Sequence, residues 1–193
     1  VLLDKQNEMD EKLNQLLSQK DKDNERNFLK AIENSKVVGL NNIDGKIKDE
    51  YEIDRGALIE KIKKDNSKFI CISGNAGVGK SALCKKMLYG EKYVLYTRAE
   101  RISSSRNIDE IWNCEIEECV KDIKTERIYF FVDALEYIAD VQSASAKIEL
   151  LQCLLEIAKK QENVFVVTTC RSSDISSFAK LFIREELALI DVT

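Results

Sequence analysis

Apolar positions follow two regimes along this chain. Over residues 1–35, Leu2, Met9, Leu13 and Leu16 fall near one helical stripe, and Asp, Glu, Lys, Asn and Gln fill the other faces. That pattern predicts an amphipathic helix. The stripe lapses through Asp21, Lys22, Asp23, Asn24 and Glu25 and resumes at Phe28, Leu29 and Ile32. One reading of residues 1–38 is a coiled-coil-like connector. The other is a plain amphipathic helix packed on its own domain, since a coiled coil asks for three or four heptads. Gly39 to Gly45, with Asn41, Asn42 and Asp44 between them, reads as a turn-rich boundary. A second domain is expected over 45–193.

Beyond Asp49 short apolar runs alternate with helical periodicity. Phe69–Ile72, Tyr93–Tyr96, Ile128–Val132 and Val164–Thr168 predict strands, with a possible fifth at Leu187–Ile190. Helices are expected near 81–89, from Ile108 to about Asp122, from about Ala144 to Lys160, and around Ile175–Phe182. Ile148, Leu151, Leu154, Leu155 and Ala158 set the third of these at i, i+3, i+4 spacing. The run 128–132 is almost wholly apolar, as a strand covered by helices on both faces must be. Repeated strand–helix units give an α/β fold with a parallel sheet.

Composition narrows the function. The 193 residues carry 30 Lys+Arg against 34 Asp+Glu, a formal net charge of −4, which disfavours a dedicated nucleic-acid binder. No run approaches the length of a membrane-spanning helix, so no membrane partner is expected. The chain contains no His, which excludes a His-based catalytic triad, a zincin and any His-liganded metal. Cys71, Cys84, Cys114, Cys119, Cys153 and Cys170 form no CxxC pair and read as buried thiols of a cytoplasmic protein. Val1 in place of an initiator Met suggests a part of something larger.

The strongest motif is Gly74-Asn75-Ala76-Gly77-Val78-Gly79-Lys80-Ser81, which fits G-x-x-x-x-G-K-[ST]. A predicted strand precedes it and a predicted helix, opening through Ala82, follows. Backbone N–H groups can turn inward around a phosphate only at torsions that side chains resist, so glycine is needed there. The helix start adds unpaired N–H groups and its dipole. Lys80 would reach the β and γ phosphates, and the Ser81 hydroxyl would hold Mg²⁺. Asp133 closes the third strand and is a second Mg²⁺ candidate. Glu136 is the candidate for orienting or deprotonating a water; its plain alternative is a carboxylate at a helix start. The fourth strand ends in Thr168-Thr169-Cys170-Arg171. Arg171 would contact a γ-phosphate or, as a surface residue, pair with Asp174. Arg98, Arg101 and Arg106, around Ser103-Ser104-Ser105, read as a solvated basic loop, with a partner-facing role as the sharper alternative.

Taken together, the loop at 74–81, the FFVDALE segment at 130–136 and VVTTCR at 166–171 resemble the STAND class of P-loop NTPases. That class includes NACHT and NB-ARC modules, and the D-A-L-E and T-x-R details are similar to bacterial antiphage sensors. The resemblance covers about residues 45–193. It implies a three-layer P-loop NTPase domain of sheet order 5-1-4-3-2. It also implies bound ATP or ADP with Mg²⁺, and an oligomerisation switch governed by nucleotide state. Ile53-Asp54-Arg55-Gly56 resembles the short motif whose Arg lies over the adenine; an exposed Arg at a helix start is the alternative. Tyr137 stands where family members often carry a further acid, which favours slow turnover over brisk hydrolysis. The family continues beyond the position of Thr193 into a helical lid and winged-helix region, and its trigger ligand is sensed outside the segment seen here. Two rivals share these motifs: an AAA+ type ATPase acting on nucleic acid or protein, and a non-hydrolysing scaffold with structural nucleotide. A small-molecule kinase ranks behind both, for want of a lid or acceptor-binding segment.

Overall fold

In the computed structural model, residues 2–43, 54–65, 67–139, 144–178 and 187–192 are described. Helix α1 spans Leu2–Asn34 and runs into a π-helical turn at Ser35–Gly39 and a 3₁₀ turn at Leu40–Asn42. Helix α2 (Gly56–Lys64) leads into strand β1 (Phe69–Gly74), helix α3 (Lys80–Leu88) and strand β2 (Tyr93–Arg98). Three short helices follow: α4 (Ala99–Ser104), α5 (Ile108–Trp112) and α6 (Ile116–Lys121). Strand β3 (Ile128–Asp133), helices α7 (Glu136–Ala139) and α8 (Ala144–Lys160), and strand β4 (Val164–Arg171) come next. A 3₁₀ turn at Ser172–Phe178 and strand β5 (Leu187–Asp191) complete the described chain.

The five strands form one sheet in the order β2-β3-β4-β1-β5, every pairing parallel. Read from the other edge this is 5-1-4-3-2, the order the family resemblance implied. In β1 to β4 alternate residues feed opposite cores. Phe69, Cys71, Leu95, Phe130, Val132 and Val166 pack with α1, α4–α6 and α8 on one face. Ile70, Ile72, Val94, Phe131 and Val167 pack with Ile62 of α2, Leu83, Met87 and Leu88 of α3, and Leu40 on the other. Helices therefore cover both faces, which is why the central strands are apolar except toward their C-terminal ends. The result is the three-layer α/β architecture of a P-loop NTPase.

Several elements depart from the sequence expectation. The apolar lapse at 21–25 does not interrupt α1, because polar contacts replace apolar ones there. Lys20 Nζ pairs with Glu115 Oε1 at 2.7 Å, and Asn24 Oδ1 accepts the Glu115 N–H at 2.7 Å. The single helix expected over 108–122 is two. Asn113 adopts a left-handed φ of 57° and ends α5, and Asp109 Oδ1 accepts the Ile116 N–H at 2.9 Å to start α6. Part of the expected basic loop is α4. The helix expected at Ile175–Phe182 is a 3₁₀ turn as far as Phe178, and 179–182 lie outside the described residues. Of the turn-rich boundary, Gly39 closes the π-helical turn, while Asp44 and Gly45 also lie outside them. Helix α2 opens at Arg55, where a helix start was one of the two readings; its span to Lys64 was not anticipated.

The C-terminal part of α1 belongs to the domain core: Phe28, Ala31 and Ile32 are buried with the first cluster. The π-helical turn then seals edge strand β2. Ser35 Oγ accepts the Tyr96 N–H at 2.9 Å and donates to Ala31 O at 2.7 Å. On the same strand the Trp112 indole N–H donates to Tyr96 O at 3.2 Å. Side chains thereby satisfy an edge that would otherwise invite another strand.

Candidate functional site

The loop between β1 and α3 turns on glycine. At Gly79 φ is +83°, a conformation that costs an L side chain dearly, and this residue caps α3. At Gly74 (φ +154°) an added Cβ would stand 2.5 Å from the Val192 carbonyl oxygen, so no larger residue fits where β1 leaves the sheet. The two glycines thus aim the N-terminus of α3 back over the strand end. Lys80, the first residue of that helix, is only 9% exposed. Its ammonium donates to the carbonyls of Gly74 and Asn75, both at 2.9 Å. A cation folded onto neutral carbonyls is held ready for a stronger, anionic acceptor.

From the next turn Ser81 Oγ donates to Asp133 Oδ1 at 2.7 Å. Asp133 ends β3, and its neighbour β4 brings Thr169 alongside; Thr169 Oγ1 donates to the same carboxylate oxygen at 2.6 Å. Thr169 also accepts: its Oγ1 takes the Ala134 N–H at 2.7 Å and its carbonyl takes the Leu135 N–H at 2.9 Å. These bonds hold Ala134 at a left-handed φ of 65°, unusual for a residue with a Cβ. The turn in turn points α7, and Glu136 with it, back toward the loop. Sequence reasoning named Thr169 only as a polar strand-end group. Its clamp on Asp133 depends on β4 lying beside β3, which no local pattern states.

Arg171 pairs with Glu136 rather than with Asp174: Arg171 Nε lies 3.2 Å from Glu136 Oε1. The arginine side chain is 48% exposed and the glutamate 12%. The other Glu136 oxygen, Oε2, is buried and takes no hydrogen bond from the described residues. That is a costly arrangement for a carboxylate unless a donor comes to it. Arg55, at the head of α2, donates from Nη2 to the Val78 carbonyl at 2.8 Å and so braces the phosphate loop from outside. Ile53 of its motif lies outside the described residues.

Apart from Arg55, which does not line it, these groups share one cleft of about 1030 Å³, walled by Lys80, Ser81, Asp133, Glu136 and Arg171 on the phosphate-loop side. The opposite wall includes Ser35, Gly39, Tyr96 and Trp112, contributed by the end of α1, β2 and α5. That second wall was not read from the sequence. Beneath the loop, burial pushes the Cys71 thiol up to about 11 and, with Cys71 beside it, Cys170 up to about 12. Cys84 is raised by burial and by the neighbouring Asp133. These thiols are packing groups at neutral pH, not nucleophiles. Among the described residues there is no cluster of three or more acidic or thiol ligands. A divalent ion here would be held by Ser81, Asp133 and its own phosphate ligand, the usual arrangement for Mg²⁺. No helix among them is long and apolar enough to cross a membrane.

No protein-family model matches the chain, and no curated protein does either. Among solved structures, that of C. elegans PCH-2 is similar over 69% of this chain and 37% of its own, at 21% identity and a TM-score of 0.47. With a likeness at that level, it is the chain's own sheet order and glycine loop that carry the assignment of the P-loop NTPase fold.

Proposed function

We propose that the chain is the nucleotide-binding switch of a STAND-type defence or signalling sensor in the cytoplasm, binding ATP with Mg²⁺ and hydrolysing it slowly. The observation that carries the nucleotide reading is the convergence of Lys80, Ser81 and Asp133 at the mouth of a glycine loop. The sensor class rests on the three motifs in order.

In this reading the loop amides from Asn75 to Ser81 and the N-terminus of α3 receive the phosphates. Lys80 exchanges its two carbonyls for phosphate oxygens, gaining charge-assisted bonds. Ser81 and Asp133 would hold Mg²⁺, which when bound neutralises phosphate charge and aligns the group to be transferred. The Ser81 hydroxyl and Asp133 carboxylate already touch, so both suit a single cation. The unsatisfied Glu136 Oε2 suits a water donor: it would take that water's proton as the oxygen attacks the terminal phosphate. Arg55 supports the loop, and its guanidinium would border bound nucleotide rather than act on it.

Single-turnover hydrolysis tests this reading. Glu136→Gln is expected to retain MgATP binding while the hydrolysis rate falls by about 10²-fold or more. An unchanged rate would remove the catalytic role of Glu136, and a wild-type chain that binds MgATP without hydrolysing it would leave the non-hydrolysing scaffold as the better account.

A further inference from the structure

We propose, resting on the nucleotide reading above, that Glu136 and the terminal phosphate of a bound triphosphate compete for Arg171. The Arg171–Glu136 ion pair is then a built-in counterweight to triphosphate binding, one that a diphosphate does not meet.

Parallel pairing brings the three groups together. In the register of β1 and β4, Arg171 lies beside Gly74, the first residue of the phosphate loop. It stands two residues beyond Thr169, on the same face of β4, and is the exposed end of an otherwise buried strand. Thr169 clamps Asp133, and through the Ala134 and Leu135 amides it fixes the turn that carries Glu136. One short stretch of β4 therefore places both partners of the ion pair. Arg171 and Glu136 line the same cleft as Lys80 and Ser81.

Two of the cations lining that cleft are held provisionally, but not alike. The Lys80 ammonium rests on neutral carbonyls, which it can leave without stranding a charge. Arg171 rests on a carboxylate, its Nε 3.2 Å from Glu136 Oε1. When the arginine leaves, Oε1 loses its cation while Oε2 is already buried without a donor. That loss opposes whatever draws the arginine away. It is outweighed all the same. The arginine side chain is 48% exposed, and ion pairs open to solvent contribute little. A guanidinium meets phosphate oxygens in paired, charge-assisted bonds. The terminal phosphate therefore wins the arginine, at reduced affinity. A diphosphate ends one group short and leaves the pair intact.

The test is a double-mutant cycle on the whole chain: wild type, Glu136→Gln, Arg171→Gln and the double variant. Calorimetry gives the affinity of each for MgADP and for the Mg²⁺ complex of the β,γ-imido analogue of ATP, which resists hydrolysis. Far-UV circular dichroism checks each fold, and Arg171→Met stands in if Arg171→Gln does not fold. Glu136→Gln should bind the analogue about threefold more tightly, the scale of one ion pair with an exposed partner, and bind MgADP as wild type does. With Arg171→Gln in place, the same change should add nothing. A gain of equal or greater size without Arg171 would mean plain repulsion between Glu136 and the phosphate, and would overturn the proposal. So would the lack of any gain with Arg171 present, or an equal gain for MgADP. A wild-type chain that binds neither nucleotide would remove the nucleotide reading and this proposal with it; binding without the gain removes the proposal alone.

Discussion

At Asp133 one carboxylate oxygen receives two hydroxyl donors, and the sequence showed the role of only one of them. Ser81 follows from the loop motif itself, a local pattern. Thr169 does not, because its role as donor to Asp133 and acceptor for Ala134 arises from two strands that are adjacent only in the fold. Thr169→Val keeps the shape but leaves the Ala134 N–H buried without a partner. We expect thermal or urea unfolding to show a loss of about 1–3 kcal/mol, with Thr169→Ser close to wild type. Equal stability of the two variants would mean the clamp contributes nothing. Arg171 teaches a similar lesson: the sequence placed it correctly at a strand end, offering phosphate or Asp174 as partner. Of the protein groups, Glu136 and not Asp174 pairs with it, since α7 doubles back after the left-handed Ala134. Buried Glu136 could not be told from an exposed helix-start acid by spacing alone.

The strands were legible as elements because both core faces demand apolar residues, and four of the five runs stand out in composition. The helical layer was legible only where periodicity is long. Helix α8 matches its expected bounds, 144–160. The break between α5 and α6 was hidden, because it depends on Asn113 taking a left-handed conformation and on Asp109 reaching forward to cap Ile116. The π-helical turn after α1 has no sequence pattern at all; its basis is the fit against β2. Ser35 is 4% exposed and satisfies the Tyr96 amide. A Cβ on Gly39 would stand 2.3 Å from Tyr96 Cδ1, so that turn packs tightly on the strand. Ser35→Ala should therefore lower stability by about 1–3 kcal/mol and speed amide exchange at Tyr96. Exchange at Tyr96 no faster than in wild type would show that the turn does not seal the edge.

At the scale of the molecule, the sheet order places the ends of β1, β3 and β4 side by side, so the glycine loop, Asp133 and Thr169 converge without any long loop to carry them. This much of the architecture was implied by the resemblance to P-loop NTPases. Not implied was that α1 ends as a wall of the same cleft, through Ser35 and Gly39. The chain's single Trp, Trp112, stands on that wall and is hydrogen-bonded to β2. Its emission should change saturably as MgATP is added, and the change should vanish in Trp112→Phe. A flat titration at concentrations that saturate binding would uncouple that wall from the phosphate end. The central claim, that the loop from Gly74 to Ser81 holds a triphosphate, is tested most directly by equilibrium titration of the folded chain with MgATP. One nucleotide should bind per chain, more weakly when Mg²⁺ is chelated. In Lys80→Ala, with the fold verified by far-UV circular dichroism, affinity should fall by about 10²-fold, the scale of losing two charge-assisted hydrogen bonds. A folded chain that takes up no nucleotide at millimolar MgATP, or binds it equally well without the Lys80 ammonium, would contradict the account.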